Sequence, residues 1–279
     1  MLKYELIPEQ LLREGIIRPQ DLHLPGEIDE EFILLAHAPG YWERMRDLKL
    51  SAAEIRRIGF PQSEELVERE RRIAQGTIEG SLHALNHKIA FNVAGGTHHA
   101  GSNWGEGFCL LNDQAIAAAY LVKSKLVHRI LIIDLDVHQG NGTAEIFSEV
   151  NQVFTFSMHA ENNFPFRKEK SDLDIGLKDG TRGEEYLAIL TDKLKLLSER
   201  VKPDFMFYLS GVDVLSTDKL GKLALSQDEC LERDRRVFSF CQENNIPLQV
   251  SMGGGYSPEL RHIVDAHCNT FRIARELYC

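Results

Sequence analysis

With 279 residues, the chain has room for one large α/β unit or two small ones, and length alone does not choose. Its 43% hydrophobic and 27% charged residues match an ordinary globular protein able to build a core. A formal net charge of −10 argues against a nucleic-acid partner, since phosphate contacts need clustered Lys and Arg.

In chain order, the opening MLKYELIPEQLLREG carries charges throughout and has no apolar signal core. Residues 1–88 read as mainly helical, and the clearest amphipathic helix runs from Ser63 to His87 with Leu66, Ile73, Ile78, Leu82 and Leu85 as its stripe. From Ile89 onward, short apolar runs alternate with longer stretches of helical period. The runs are 89–94, 130–138, 153–159, 204–213 and 246–256, and the helix-like stretches lie near 111–125, 184–201 and 226–244. A last helix is expected to start at Ser257-Pro258-Glu259, a capping residue followed by proline at the first helical position. Unbroken apolar strands alternating with helices predict a mostly parallel sheet covered on both faces. No linker divides the chain, so 1–279 is read as a single domain, with 1–88 packed on the sheet built by 89–279. The apolar stretch 115–122 is too short to span a bilayer. Five scattered cysteines (Cys109, Cys230, Cys241, Cys268 and Cys279) form no CxxC pair. They predict free thiols in a reducing compartment, with the cytoplasm as the expected location.

Chemistry collects where the strands end. The first run leads to Gly95-Gly96-Thr97-His98-His99, the second ends in Asp134, Asp136 and His138, the fourth in Asp213, and the fifth in Gly253-Gly254-Gly255-Tyr256. Ligands of open α/β sheets bind outside the carboxyl ends of strands, so these clusters are expected to share one crevice. Side chains alternate along a strand, which aims Asp134, Asp136 and His138 the same way. Two carboxylates closing an apolar strand are either solvated at its exit or bound to a cation. The added histidine favours a divalent metal, with Asp213 as third ligand and a coordination position left open. His98 and His99 could be surface histidines; beside a metal they suit proton transfer. Tyr256, after three glycines, could be a rim tyrosine or an oxyanion donor.

The segments GGTHHAGSNWGEGFCLLNDQAIAA, ILIIDLDVHQGNGTAEIF, YLSGVDVLSTDKLGKLALS and MGGGYS resemble the metal-dependent histone deacetylase family, nearest its class IV, bacterial-like branch. The resemblance runs from about Lys3 to the C-terminus. It implies a three-layer arginase/deacetylase fold with an eight-stranded sheet between helices. Asp136, His138 and Asp213 match the zinc ligands, and His99 matches the general base and acid. His98 matches the second histidine, Asp134 the acid bonded to it, and Tyr256 the tyrosine that polarises the acyl carbonyl. Gly107 and Phe108 match one pocket wall; Phe164 and Gly254 complete the expected lining. Asp134 and Ser157 resemble a structural K⁺ site. Asn141 departs from the aspartate that many relatives carry behind the general base; an amide supplies no charge, so activity is expected to extend to lower pH. The chain also begins almost at KYEL, where relatives carry a further stretch with a loop at the pocket rim; either the start is shortened or that loop is lacking, and the resemblance leaves the entrance open.

The expected activity is hydrolysis of an acyl-lysine or another N-acyl amine. A small-metabolite or acetylpolyamine amidohydrolase is a variant of this reading. Two carboxylates and an imidazole accept Fe²⁺ as well as Zn²⁺. The rivals are a binuclear manganese hydrolase of the arginase type, which would want D-x-H-x-D, and a non-catalytic binder of acylated ligands, which would need no proton-transfer groups.

Overall fold

The protein is described by a computed structural model covering residues 2–279. Four helices come first: α1 (Lys3–Arg13), α2 (Glu30–Ile33), α3 (Pro39–Arg46) and α4 (Ala52–Ile58). The long α5 (Glu64–His87) begins where the Ser63 hydroxyl accepts the Leu66 N–H at 3.1 Å. This cap satisfies one of the amide donors that every helix start leaves unpaired. Ile73 and Ile78 of its stripe are buried, and Leu66, Leu82 and Leu85 pack beside them.

Strands and helices then alternate: β1 (Ile89–Asn92), α6 (Asp113–Lys123), β2 (Ile130–Asp134), α7 (Asn141–Phe147), β3 (Val153–Ala160) and β4 (Leu173–Leu177). After them come α8 (Gly183–Arg200), β5 (Phe205–Leu209), α9 (Gln227–Glu243), β6 (Leu248–Ser251) and α10 (Leu260–Tyr278). All pairings are parallel, in the order β1-β6-β5-β2-β3-β4. Alternating side chains of β2 and β5 feed two cores. Ile130, Ile132, Phe205 and Phe207 face α5 and α6, whereas Leu131, Ile133, Met206 and Tyr208 face α8 and α9. The result is the helix–sheet–helix layering predicted above, in which strands covered on both faces can be apolar without interruption.

Three expectations need correction. The sheet has six strands, not eight. The first 88 residues supply helices only, and α5 packs on the face of the sheet over β1 and β6. Two more parallel contacts, Arg182–Ala224 and Leu215–Leu225, close as single bridges. Secondly, β2 stops at Asp134 instead of reaching His138. Beyond Leu135, whose N–H still donates to the Leu209 carbonyl, the amides turn to carboxylates: Asp136 N–H donates to Asp134, Val137 N–H to Asp213 and His138 N–H to Asp136. Thirdly, α10 starts at Leu260 behind Glu259 with no side-chain cap, because the Ser257 hydroxyl is engaged with that of Thr217 at 2.8 Å.

The strand order reverses between β2 and β5: β2 leads outward to β3, while β5 leads to β6 on the other side. Such a switch point opens a crevice at the carboxyl ends. A buried Arg233 ties its two lips together. It donates to the carbonyls of Leu135 (3.3 Å) and Gly211 (2.6 Å) and pairs with Asp234 at 2.8 Å. All five cysteines are free, and only Cys279 is exposed.

Candidate active site

The crevice is a cavity of about 590 Å³, with Phe108 and Phe164 in its walls and Asp136, His138, Asp213 and Tyr256 among its lining. Asp136, His138 and Asp213 are buried, and each offers a ligand atom within 4.8 Å of the others. His138 Nδ1 lies 3.0 Å from Asp136 Oδ1 and 3.2 Å from Asp213 Oδ2. The outer oxygens are held by backbone: Asp213 Oδ1 accepts from Val137 (2.9 Å) and Asp136 Oδ2 from Gly254 (2.8 Å).

The residues fit a divalent cation. Asp213 Oδ2 is buried and accepts no hydrogen bond, the His138 Nδ1 beside it being bonded to Asp136 instead, an arrangement that is costly for a carboxylate unless a cation sits there. A methyl group added at Gly254 would come within 1.9 Å of that oxygen, so the glycine keeps the space clear. Burial pushes the Asp213 carboxyl up to about 6, with Asp136 adding to the effect. Burial opposes charge on His138, yet the carboxylates of Asp136 and Asp213 beside its ring push it up to about 10. A proton here does the neutralising that a metal ion would take over.

The other predicted residues gather around this group. Behind β1, the loop carrying the histidines is fixed by Asp113, whose Oδ1 accepts from the backbone of Gly96 (3.0 Å) and Thr97 (2.8 Å). His98 Nδ1 lies 2.6 Å from Asp134 Oδ2. Burial opposes its charging, but Asp134 and Asp136 prevail and push it up to about 9. His99 Nδ1 meets Asn141 Oδ1 at 2.8 Å. Burial, reinforced by the neighbouring His98 and His138, holds His99 well below the ordinary histidine value. The two imidazoles, 4.0 Å apart between ring centres, are therefore driven in opposite directions.

Gly107 has a left-handed φ of 56°, and a Cβ there would strike both His99 and Phe164. Phe164 stands edge-on to the His99 ring at 4.9 Å, and Phe108 lies 6.3 Å from the Tyr256 ring. Tyr256 is anchored through its backbone N–H to Asp218. Burial, with Asp213 and Asp136 nearby, pushes its phenol far up, so the O–H stays a donor. Ser157 sits beside Asp134 in the β2–β3 register. Its hydroxyl is paired with His159 at 2.9 Å.

Four contributors were not foreseen. Lys3 is buried and donates to the Gly253 carbonyl at 2.9 Å; burial pulls its ammonium down to about 8 despite the attraction of Asp213. Asp113 opens an apolar helix, where a carboxylate is a usable signal. Glu106 and Arg57 carried none, since they meet only through folding of the loop between β1 and α6 onto α4.

A buried polar floor beneath aromatic walls suits hydrolysis of a group delivered on a long, thin stem, the deacetylase class of hydrolase. Comparison with known proteins agrees. The histone deacetylase domain model matches residues 2–271, and the chain belongs to that family. It is 44% identical over 278 residues to an uncharacterized protein of Picosynechococcus, covering 100% of this chain and 93% of that one. It is 28% identical over 275 residues to histone deacetylase 2 of Arabidopsis thaliana, covering 94% and 70%. Among solved structures, an HDAC homolog complexed with SAHA matches with a TM-score of 0.84 and 25% identity, over 97% of this chain and 77% of its own. An HDAC homolog from Aquifex aeolicus shares the fold, with a TM-score of 0.81 and 24% identity over 95% and 76%.

Proposed function

We propose that this protein hydrolyses N-acyl amines, acyl-lysine foremost, at a single divalent ion, zinc or ferrous iron, held by Asp136, His138 and Asp213. The unpartnered, fully buried Asp213 Oδ2 carries this reading. A bound ion would supply Lewis acidity toward an acyl carbonyl and make a neighbouring water more acidic. His99, kept neutral by burial, has its Nε2 free to take the water's proton. His98, held charged beside Asp134, is placed to protonate the departing amine. The Tyr256 O–H donates to the carbonyl oxygen as negative charge builds on it. Phe108 and Phe164 line the way in for the aliphatic stem. A structural K⁺ at Asp134 and Ser157 rests on the family resemblance alone.

The entrance bears on the amine. Outside the metal group and the tandem histidines, the charged side chains lining the cavity are Arg56, Arg57 and Arg69, of which Arg57 is paired with Glu106 and Arg69 with Glu70. Among the described residues no unpaired carboxylate at the mouth is there to attract a polycation, and the Arg56 guanidinium repels one, which favours an acyl-lysine or a neutral or anionic small N-acyl amine over an acetylpolyamine. Among the described residues one metal-ligating group of this kind occurs, which favours a mononuclear centre over the arginase-like pair. The intact set of proton-transfer groups favours an enzyme over a binder. The test is a panel of fluorogenic acyl-lysines of increasing chain length beside an N-acetylpolyamine, using metal-reconstituted protein. Turnover of acyl-lysine that stops with chelator is expected. Preference for the polyamine, or no turnover of any acyl amine, would refute the proposal.

A further inference from the structure

We infer that Glu106 is a positioning residue that fixes which end of the Asn141 amide faces His99 and thereby which imidazole nitrogen carries the proton. The inference rests on His99 being the base of the reaction proposed above. The contacts form a chain: His99 Nδ1 to Asn141 Oδ1 at 2.8 Å, Asn141 Nδ2 to Glu106 Oε1 at 2.5 Å, and Arg57 Nε to Glu106 Oε2 at 2.7 Å. His99, Asn141 and Glu106 are all buried, so water does not compete for these positions.

Direction along this chain follows from donor and acceptor inventory. An amide has one donating end and one accepting end, and by itself it is content either way round. A carboxylate paired with a guanidinium can only accept. Glu106 therefore draws the NH₂ end of Asn141 toward itself and turns the oxygen toward His99. That oxygen also only accepts, so the proton must sit on Nδ1, and Nε2 keeps its lone pair for the substrate side. With the amide reversed, its NH₂ would face Nδ1, the proton would move to Nε2, and the base would be lost. Glu106 is itself held: it bridges to Cys109, while the Gly107 and Phe108 N–H groups donate to the carbonyls of Arg57 and Ile58 at the end of α4.

This arrangement also accounts for an asparagine at 141. An aspartate there would press a second carboxylate against Glu106 in a buried place. The negative charge that an aspartate would place directly behind the histidine is carried here one hydrogen bond further out, on Glu106.

The test is an exchange of acid and amide. Glu106→Gln keeps the shape but can offer either end to Asn141, so kcat is expected to fall by about tenfold or more, a partial loss of general-base catalysis, with KM nearly unchanged. Asn141→Asp alone should also lose activity. Glu106→Gln combined with Asn141→Asp should recover most of it, because a carboxylate then faces Nδ1 directly and the glutamine donates to it. Long-range ¹H–¹⁵N NMR of labelled, metal-free protein reads the tautomer without turnover: Nδ1–H in wild type and a mixture in Glu106→Gln. Unaltered kcat and tautomer in Glu106→Gln, or a double variant no better than the single ones, would overturn the inference. If the wild type hydrolyses no acyl amine, the functional proposal fails, while the NMR comparison still decides the role of Glu106.

Discussion

Tyr256 is the residue whose role separates binding from catalysis most cleanly. Its O–H is kept protonated by burial and by Asp213 and Asp136, and the carbonyl oxygen it would serve gains charge only as the bond is attacked. Tyr256→Phe should therefore lower kcat by ~10²–10³ with little change in KM, the magnitude found for oxyanion donors. A rise in KM with kcat intact would contradict that role. At this scale the sequence was informative where residue type is chemically odd for its place. Asp136, His138 and Asp213 stand out because carboxylates close apolar runs, and the tandem histidines because they follow two glycines. Glu106, Arg57 and Lys3 do not stand out. A glutamate beside glycine or a lysine near the chain start is ordinary until folding buries it, and only the fold brings Glu106 within reach of Asn141.

The elements place these residues through their ends more than their interiors. Helices and strands follow from apolar period, and α5, α6, α8 and α9 lie close to where the pattern puts them. Their ends follow from local hydrogen bonds that the pattern does not contain. The amides after β2 turn to aspartate oxygens, and Ser257 spends its hydroxyl on Thr217. The edge strand β4 escaped notice because Asp174 and Gly176 interrupt its apolar run, as a half-covered edge permits. Arg233 clamps β2 and β5 at the switch point, with Asp234 as its buried partner and Tyr208 and Thr270 donating to the same carboxylate. Arg233→Met would leave Asp234 uncompensated and should cost ~3–5 kcal/mol. Urea unfolding checks this, and a loss below about 1 kcal/mol, the usual size of a surface ion pair, would show the clamp to be unimportant.

For the molecule as a whole, acid tolerance is set partly by buried neutral histidines. Burial pulls His37 down to about 4, and its ring is wedged between the Gly101 carbonyl and the Asn112 N–H. Its folded value lies below the unfolded 6.5, so below that pH the unfolded chain binds a proton that the folded one refuses. Stability from this group is complete above pH 6.5 and is lost as pH falls toward 4, by up to ~1.4 kcal/mol per pH unit. His37→Gln should flatten that part of the stability profile; identical pH dependence in wild type and variant would refute the assignment. The central claim concerns the whole site, since residues just beyond the ends of β2 and β5 must together hold one ion. Elemental analysis of purified, metal-reconstituted protein and of Asp213→Ala measures this directly. One divalent transition ion per chain, lost in Asp213→Ala while the variant stays folded, is the predicted result. Two ions per chain, or full occupancy without Asp213, would contradict the account.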